Sequence, residues 1–250
     1  MKSYEPEHID RKSLYTNLEA RIDYLHRFLD FNENDIEALA FGSKFVQDII
    51  PAVVHIVYQK LLQFDITARA FETRDTRSEE PIKNGIIDVD SAIVQERKMF
   101  LNAYLKKMCS DQSQMEFWEY LDQVGAMHVG LHKQRPLRIE YIHINATLCV
   151  IQHVLTEAIL SHNALPMSRR TAMVVAISKV IWIQNDLFAK WCVRDGEEFN
   201  AEGETTQPAP SMSQISPPKS TTSDGQQAGT CPFSGMTQAM QGLSTGPPAH

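Results

Sequence analysis

From Leu14 to Cys192 apolar residues recur every three to four positions, the period that lines one face of an α-helix. In LYTNLEARIDYLHRFL, the residues Leu14, Leu18, Ile22, Leu25 and Leu29 form one stripe and predict a single amphipathic helix. After FNEN, where Asn32 or Asn34 can cap, IEALAFGSKFVQDII predicts a second. Pro51 stands where a new helix can start, because a missing N–H is harmless in a first turn. The segment it opens, PAVVHIVYQKLLQF, is apolar on most of its surface and is therefore expected to be central. Arg69 to Asp90 mixes charged residues with Pro and Gly and reads as a long loop with one short turn around Phe71.

Helix resumes near Ser91, with Ile93, Arg97, Phe100, Tyr104 and Met108 on one face. Asp111 or Ser113 can cap the next helix, in which Phe117, Leu121, Val124, His128 and Leu131 share one side and which Pro136 stops. Two long helices complete the body, about 137–161 and 167–192, separated at Pro166. No alternating apolar and polar run flanked by turn residues is present, so the expected class is all-α.

Composition changes near residue 200, where Pro, Ser, Thr, Gly and Gln replace large apolar side chains. Such a segment cannot bury enough surface to offset its chain entropy and is expected to be a disordered tail. The expected organisation is an N-terminal extension with a leading helix at 1–32, a helical domain at 33–195 and the tail at 196–250. A chain of 250 residues with 43% hydrophobic content can bury a sizeable core. Its net charge of −7, with lysines scattered, argues against a nucleic-acid surface. Neither a signal-peptide pattern nor an uncharged membrane-length run is evident, since TAMVVAISKVIWI carries Lys179. A soluble, cytoplasmic protein outside membranes is expected. Cys109, Cys149, Cys192 and Cys231 are far apart with no CxxC pair, which indicates neither a zinc knuckle nor a disulfide framework.

The chemistry concentrates in VGAMHVGLH, residues 124–132, where His128 and His132 lie one helical turn apart. Zinc is disfavoured, because the run lacks the glutamate of HExxH and a third ligand. The two positions differ by about 40° around a helix, so His128 faces the core while His132 sits at the rim or in solvent. An inward histidine is either a core side chain satisfied by a backbone carbonyl or a ligand. A single imidazole entering an aromatic-lined cavity between helices is what a haem iron needs, and Tyr58, Phe71, Phe100 and Tyr104 are candidates for its walls. The same aromatics at helical spacing also read as plain core. In the tail, Cys231-Pro232 offers either a thiolate for haem or an ordinary solvated dipeptide.

The order of these pieces, from FNENDIEALAF through IWIQNDLFAKWCV, resembles the protoglobins, single-domain relatives of the globin domain of globin-coupled sensors. The resemblance implies a globin fold, a 3-over-3 helical sandwich, with an extra leading helix and the disordered tail appended. VGAMHVG is similar to the family's stretch around the haem-ligating histidine, which implies that His128 holds the iron of a haem b and sets Val124 and Gly125 beside it. A missing side chain at Gly125 allows close packing of helix or macrocycle. HIVYQKLLQFDITARAF is similar to the distal helix and implies Tyr58 facing the gas, with Phe71 packing on the haem. ERKMFLNAYL implies Phe100 over the iron and Tyr104 in the same wall. Tyr141 matches a tyrosine early in the following helix with a one-residue shift. No histidine lies between Ser91 and Met108, and Glu96 stands near that place, either in solvent or beside a propionate-side cation.

The implied function is reversible binding of O2, CO or NO for sensing or storage. The alternative is a haem enzyme such as an NO dioxygenase or a peroxidase-like activity with an external reductase, since no flavin- or NAD-binding glycine pattern is present. A third class is a helical interaction protein without cofactor. The last two helices carry more apolar residues than one face needs: Ile144, Leu148, Ile151 and Leu155 on one, and Val174, Ile177, Ile181 and Leu187 on the other. The surplus reads either as core packing or as the seam of a homodimeric four-helix bundle. A partner of the tail is the remaining open expectation.

Overall fold

The computed structural model describes residues 5–82, 87–131 and 136–200. The expectations for His132, for the tail beyond residue 200 and for Cys231-Pro232 lie outside them, whereas the first residues assigned to the tail, Glu197–Asn200, are helical. Among the described residues all regular structure is helical: α1 (Arg11–Thr16), α2 (Leu18–Phe28), α3 (Glu33–Leu62), α4 (Asp65–Thr73), α5 (Ala92–Met108), α6 (Met115–His128), α7 (Tyr141–Leu160), α8 (Met167–Ala189) and α9 (Glu197–Asn200). α3 runs through the middle, against α5, α7 and α8; α7 packs along α8, and α6 lies on α8.

Several boundaries differ from the sequence reading. The leading stripe is two helices, because Asn17 adopts an extended conformation and its side chain accepts from the Ala20 N–H as an N-cap. Pro51 does not start a helix but sits inside α3 on an exposed face. There the carbonyl it leaves without a donor can take water. Ile49, Ile50, Val53 and Val54 are buried on both sides of it, so packing holds the helix continuous. The helix around Phe71 has nine residues and ends at Arg74 with a left-handed φ of 62°. Neither Asp111 nor Ser113 caps α6, whose N-cap is Gln114 without a side-chain bond.

α6 ends at His128, well before Pro136. Gly130 has φ +92°, the Leu131 N–H reaches the Ala126 carbonyl at 3.1 Å, and the Gly130 N–H reaches Met127 at 3.4 Å. This is a Schellman stop with glycine at C′. Leu131 consequently leaves the helical stripe and is exposed. α7 starts at Tyr141 rather than Leu137, because the preceding backbone is engaged elsewhere. Arg138 N–H donates to the Arg74 carbonyl at 2.8 Å, its carbonyl accepts from Thr76 at 3.0 Å, and Ile139 N–H donates to the His128 carbonyl at 2.8 Å.

Ion pairs lock the helices that frame the site. Arg21 grips Asp186 with two bonds of 2.6 and 2.8 Å, tying α2 to α8. Lys179 reaches Asp35 at 2.8 Å and the Asp30 carbonyl at 2.7 Å, tying α8 to the start of α3. Asp122 accepts from Lys190 at 2.8 Å and from the Trp191 indole at 3.0 Å, which joins α6 to the end of α8. α3, α7 and α8 are each long and apolar enough to cross a bilayer by length and composition. In this fold their apolar faces meet one another.

The dimer stripe named from the sequence proves to be internal. Ile144, Leu148, Ile151, Leu155, Ile177, Ile181 and Leu187 are buried in the single chain and Val174 is half-buried, because α7, α8 and α3 cover one another's inner faces.

Candidate functional site

One cavity of about 310 Å³ opens among α3, α4, α5, α6, α7 and α8, within the range that holds a small organic ligand. Its walls are chiefly apolar. Six residues singled out from the sequence line it together: Tyr58, Phe71, Phe100, Tyr104, Val124 and His128. They come from four helices, so only folding brings them to one place.

His128 occupies the last turn of α6, one turn after Val124. Its Nδ1 is 2.7 Å from the Val124 carbonyl oxygen. A carbonyl only accepts, so Nδ1 carries a proton, and in the neutral ring the lone pair is then on Nε2, the tautomer a metal ligand requires. The bond also raises the basicity of that nitrogen. The ring meets Phe188 of α8 edge-on, with centroids 5.2 Å apart and an interplanar angle of 88°, which fixes its orientation.

Tyr58 is 7% exposed and packs against Phe71 with centroids 5.7 Å apart. Burial pushes its phenol far above the ordinary tyrosine range, against a smaller downward pull from Arg97. It is therefore a neutral donor near pH 7. Tyr104 stacks on Tyr120 at 6.4 Å, and burial, with a further contribution from Tyr120, pushes its phenol up as well. The Tyr104 hydroxyl is sealed off with no hydrogen-bond partner among the described residues. Phe100 lines the cavity while remaining 58% exposed, so it borders the opening.

Two sequence candidates stand elsewhere. Tyr141 does not line the cavity; its hydroxyl donates to the Asn185 Oδ1 at 3.0 Å, which joins α7 to α8. Gly125 faces away from it: a Cβ there would lie 2.7 Å from the Leu187 carbonyl oxygen and 3.0 Å from Trp191 Cδ1. Of its two sequence readings, helix packing is the one this geometry matches. Glu96 is exposed, whereas its neighbour Arg97 lines the cavity.

The sequence reading missed Arg97, Tyr120, His143 and Phe188 as wall residues. Arg97 carried a signal, since it shares the helical face of Phe100 and Tyr104. His143 and Phe188 carried none, because their place depends on how α7 and α8 dock. Among the described residues no cluster of three His, Cys, Asp or Glu side chains is arranged to bind a bare ion. The His128 imidazole in a chiefly apolar pocket, with the Arg97 cation at its wall, fits a porphyrin with its metal and carboxylates better than an isolated metal.

The globin domain of a globin-coupled sensor from Geobacter sulfurreducens is similar in fold, with a TM-score of 0.54 over 68% of this chain and 96% of that domain, at 14% identity. No curated protein matches the sequence. The protoglobin family model matches residues 18–198, which takes in α2 and every helix that lines the cavity. With that match spanning most of the sequence, the chain belongs to the protoglobin family, and its role is that of a globin, holding haem and binding a diatomic gas.

Proposed function

We propose that this protein binds O2, CO or NO reversibly for sensing or storage, with His128 as the protein ligand of a haem b and Tyr58 as the donor toward the gas. The observation that carries the reading is the His128–Val124 bond, which leaves Nε2 of the neutral ring as the basic nitrogen at the cavity wall. The sequence has no CxxCH attachment motif, consistent with a non-covalent haem b. A haem held there would supply a ferrous iron able to bind a diatomic gas. The chain supplies the rest. Val124 and Phe188 hold the imidazole plane, Phe71 and Phe100 exclude water, and the Tyr58 hydroxyl, which makes no hydrogen bond among the described residues, is available to a molecule in the cavity. A donor in a water-poor pocket strengthens binding of a polarised ligand such as O2 and leaves CO nearly unaffected.

Hemin titration tests the assignment. The wild-type protein should develop a Soret band, His128→Gly should lose it or shift it, and added imidazole should restore it. A Soret band unchanged in His128→Ala after saturation with hemin would refute the ligand assignment.

We further propose a cytoplasmic homodimer. Outer-face positions 142, 149, 153 and 160 on α7, and 171, 175, 178, 182, 185 and 189 on α8, follow the heptad-like spacing of a helix seam. Ile142 at 66%, Trp182 at 58% and Val175 at 45% exposure are the apolar anchors. Trp182→Glu should convert a dimeric elution and light-scattering mass to a monomeric one. A wild-type protein that is monomeric at tens of micromolar rules the dimer out.

A further inference from the structure

Arg97 is the one permanently cationic side chain in the cavity wall, and that wall contains no Asp or Glu among the described residues. It is half-buried and makes no hydrogen bond or ion pair with any described residue. The neighbouring charges are directed elsewhere: Glu96 is exposed, and Lys98 donates to the Val89 carbonyl at 3.0 Å. The threonine hydroxyls of the wall are already engaged. Thr67 bonds the Leu61 and Phe64 carbonyls, Thr76 bonds Glu140, and Thr147 bonds the His143 carbonyl at 2.7 Å. A half-buried guanidinium beside apolar walls, with no anion among the described residues, is a fork of five donors shaped to receive a carboxylate through two parallel bonds.

We propose that Arg97 is the carboxylate-recognition residue of this cavity and receives a propionate of the bound haem. The inference rests on the haem reading above and deepens it by naming the charged contact that retains the group. Without that pair, retention depends on the single imidazole and on apolar contact. With it, the porphyrin is fixed at a second point and Arg97 gains a partner that no described residue provides. A small inorganic anion entering beside Tyr58 offers the same oxygen chemistry from a different source.

The test compares hemin with hemin dimethyl ester, which lacks both carboxylates, in wild-type, Arg97→Gln and Arg97→Lys proteins. The readout is the rate of hemin loss to an excess of a scavenging apoglobin. Arg97→Gln should lose hemin on the order of five- to tenfold faster than wild type, the scale of one charge-assisted pair partly open to solvent. Arg97→Lys, which keeps the charge but not the fork, should fall between them. The ester should leave the wild-type protein about as fast as it leaves Arg97→Gln. Equal hemin loss from wild type and Arg97→Gln overturns the proposal. So does faster loss of hemin and ester alike, which would mark a packing role. A change confined to azide or nitrite affinity overturns it in favour of the inorganic anion. Hemin that binds through His128 yet ignores Arg97 defeats this inference alone, whereas failure of the wild-type protein to take up hemin defeats the haem reading too.

Discussion

Gly125→Ala isolates the contact that sets α6, and with it His128, on α8. Two opposing effects must be weighed. Replacing a mid-helix glycine with alanine gains about 1 kcal/mol of helix propensity. Against this, the new methyl would sit 2.7 Å from the Leu187 carbonyl oxygen and 3.0 Å from Trp191 Cδ1. The first neighbour is backbone in the middle of α8 and cannot step aside. The second is held by its indole bond to Asp122 at 3.0 Å. Overpacking costs about 1–3 kcal/mol, and a clash with immovable backbone belongs in the upper part of that range, about 2–3 kcal/mol, so the net expectation is a loss of about 1–2 kcal/mol. For a body of this size that corresponds to a fall of roughly 2–8 °C in Tm. Gly42→Ala is the internal control. There a Cβ would meet only the flexible Met173 side chain, its terminal methyl first and then its sulfur at 3.2 Å and Cγ at 3.3 Å, beside a small apolar cavity of about 50 Å³ that both residues line. The thioether can swing aside, and the propensity gain should leave stability unchanged or higher. Urea unfolding of the two variants measures both, with the hemin Soret band of Gly125→Ala reporting on His128. A Gly125→Ala protein as stable as wild type, or one no less stable than Gly42→Ala, would show that α6 does not rest on α8 as described.

The remaining expectations concern the gas and pH. Tyr58→Phe should raise the O2 dissociation rate of the reduced, reconstituted protein by about tenfold, the worth of one hydrogen bond in a dry pocket, with CO release little changed; stopped-flow kinetics check this, and an unaltered O2 rate removes Tyr58 from the role. His26 lies against Phe31 and Trp118 with centroids 4.8 and 4.9 Å away, and its Nε2 is sealed without a partner. Desolvation lowers its pKa below the usual 6.5, with Asp23 opposing. The unfolded chain therefore binds the proton first, so His26 leaves stability intact above about pH 6.5 and erodes it as pH falls from there toward the lowered folded value. His26→Phe should flatten that part of the urea-stability profile, and identical profiles would exclude the group.

Much of this architecture is written locally. Period-3.6 stripes specify helices, and the Val124–His128 spacing places an imidazole on the inner side of α6 before any partner is known. What remained illegible depends on pairing. Pro51 reads as a helix start from its own chemistry, yet buried isoleucines and valines on either side carry α3 through it. Gly130 held a readable stop signal that Pro136 overshadowed, and its left-handed φ becomes evident only with the Ala126–Leu131 bond in place.

The amino-acid sequence by itself determined the all-helical class, the stripe that turns His128 inward and the family to which the chain belongs. Tertiary structure decided that Tyr58, Phe71, Phe100 and Tyr104 face one space with His128, that Arg97 rather than Glu96 borders it, and that Tyr141 spends its hydroxyl on Asn185. The division follows from range. Helical periodicity is set by neighbours three and four residues away, whereas a cavity is the region that helices distant in sequence fail to fill when they pack.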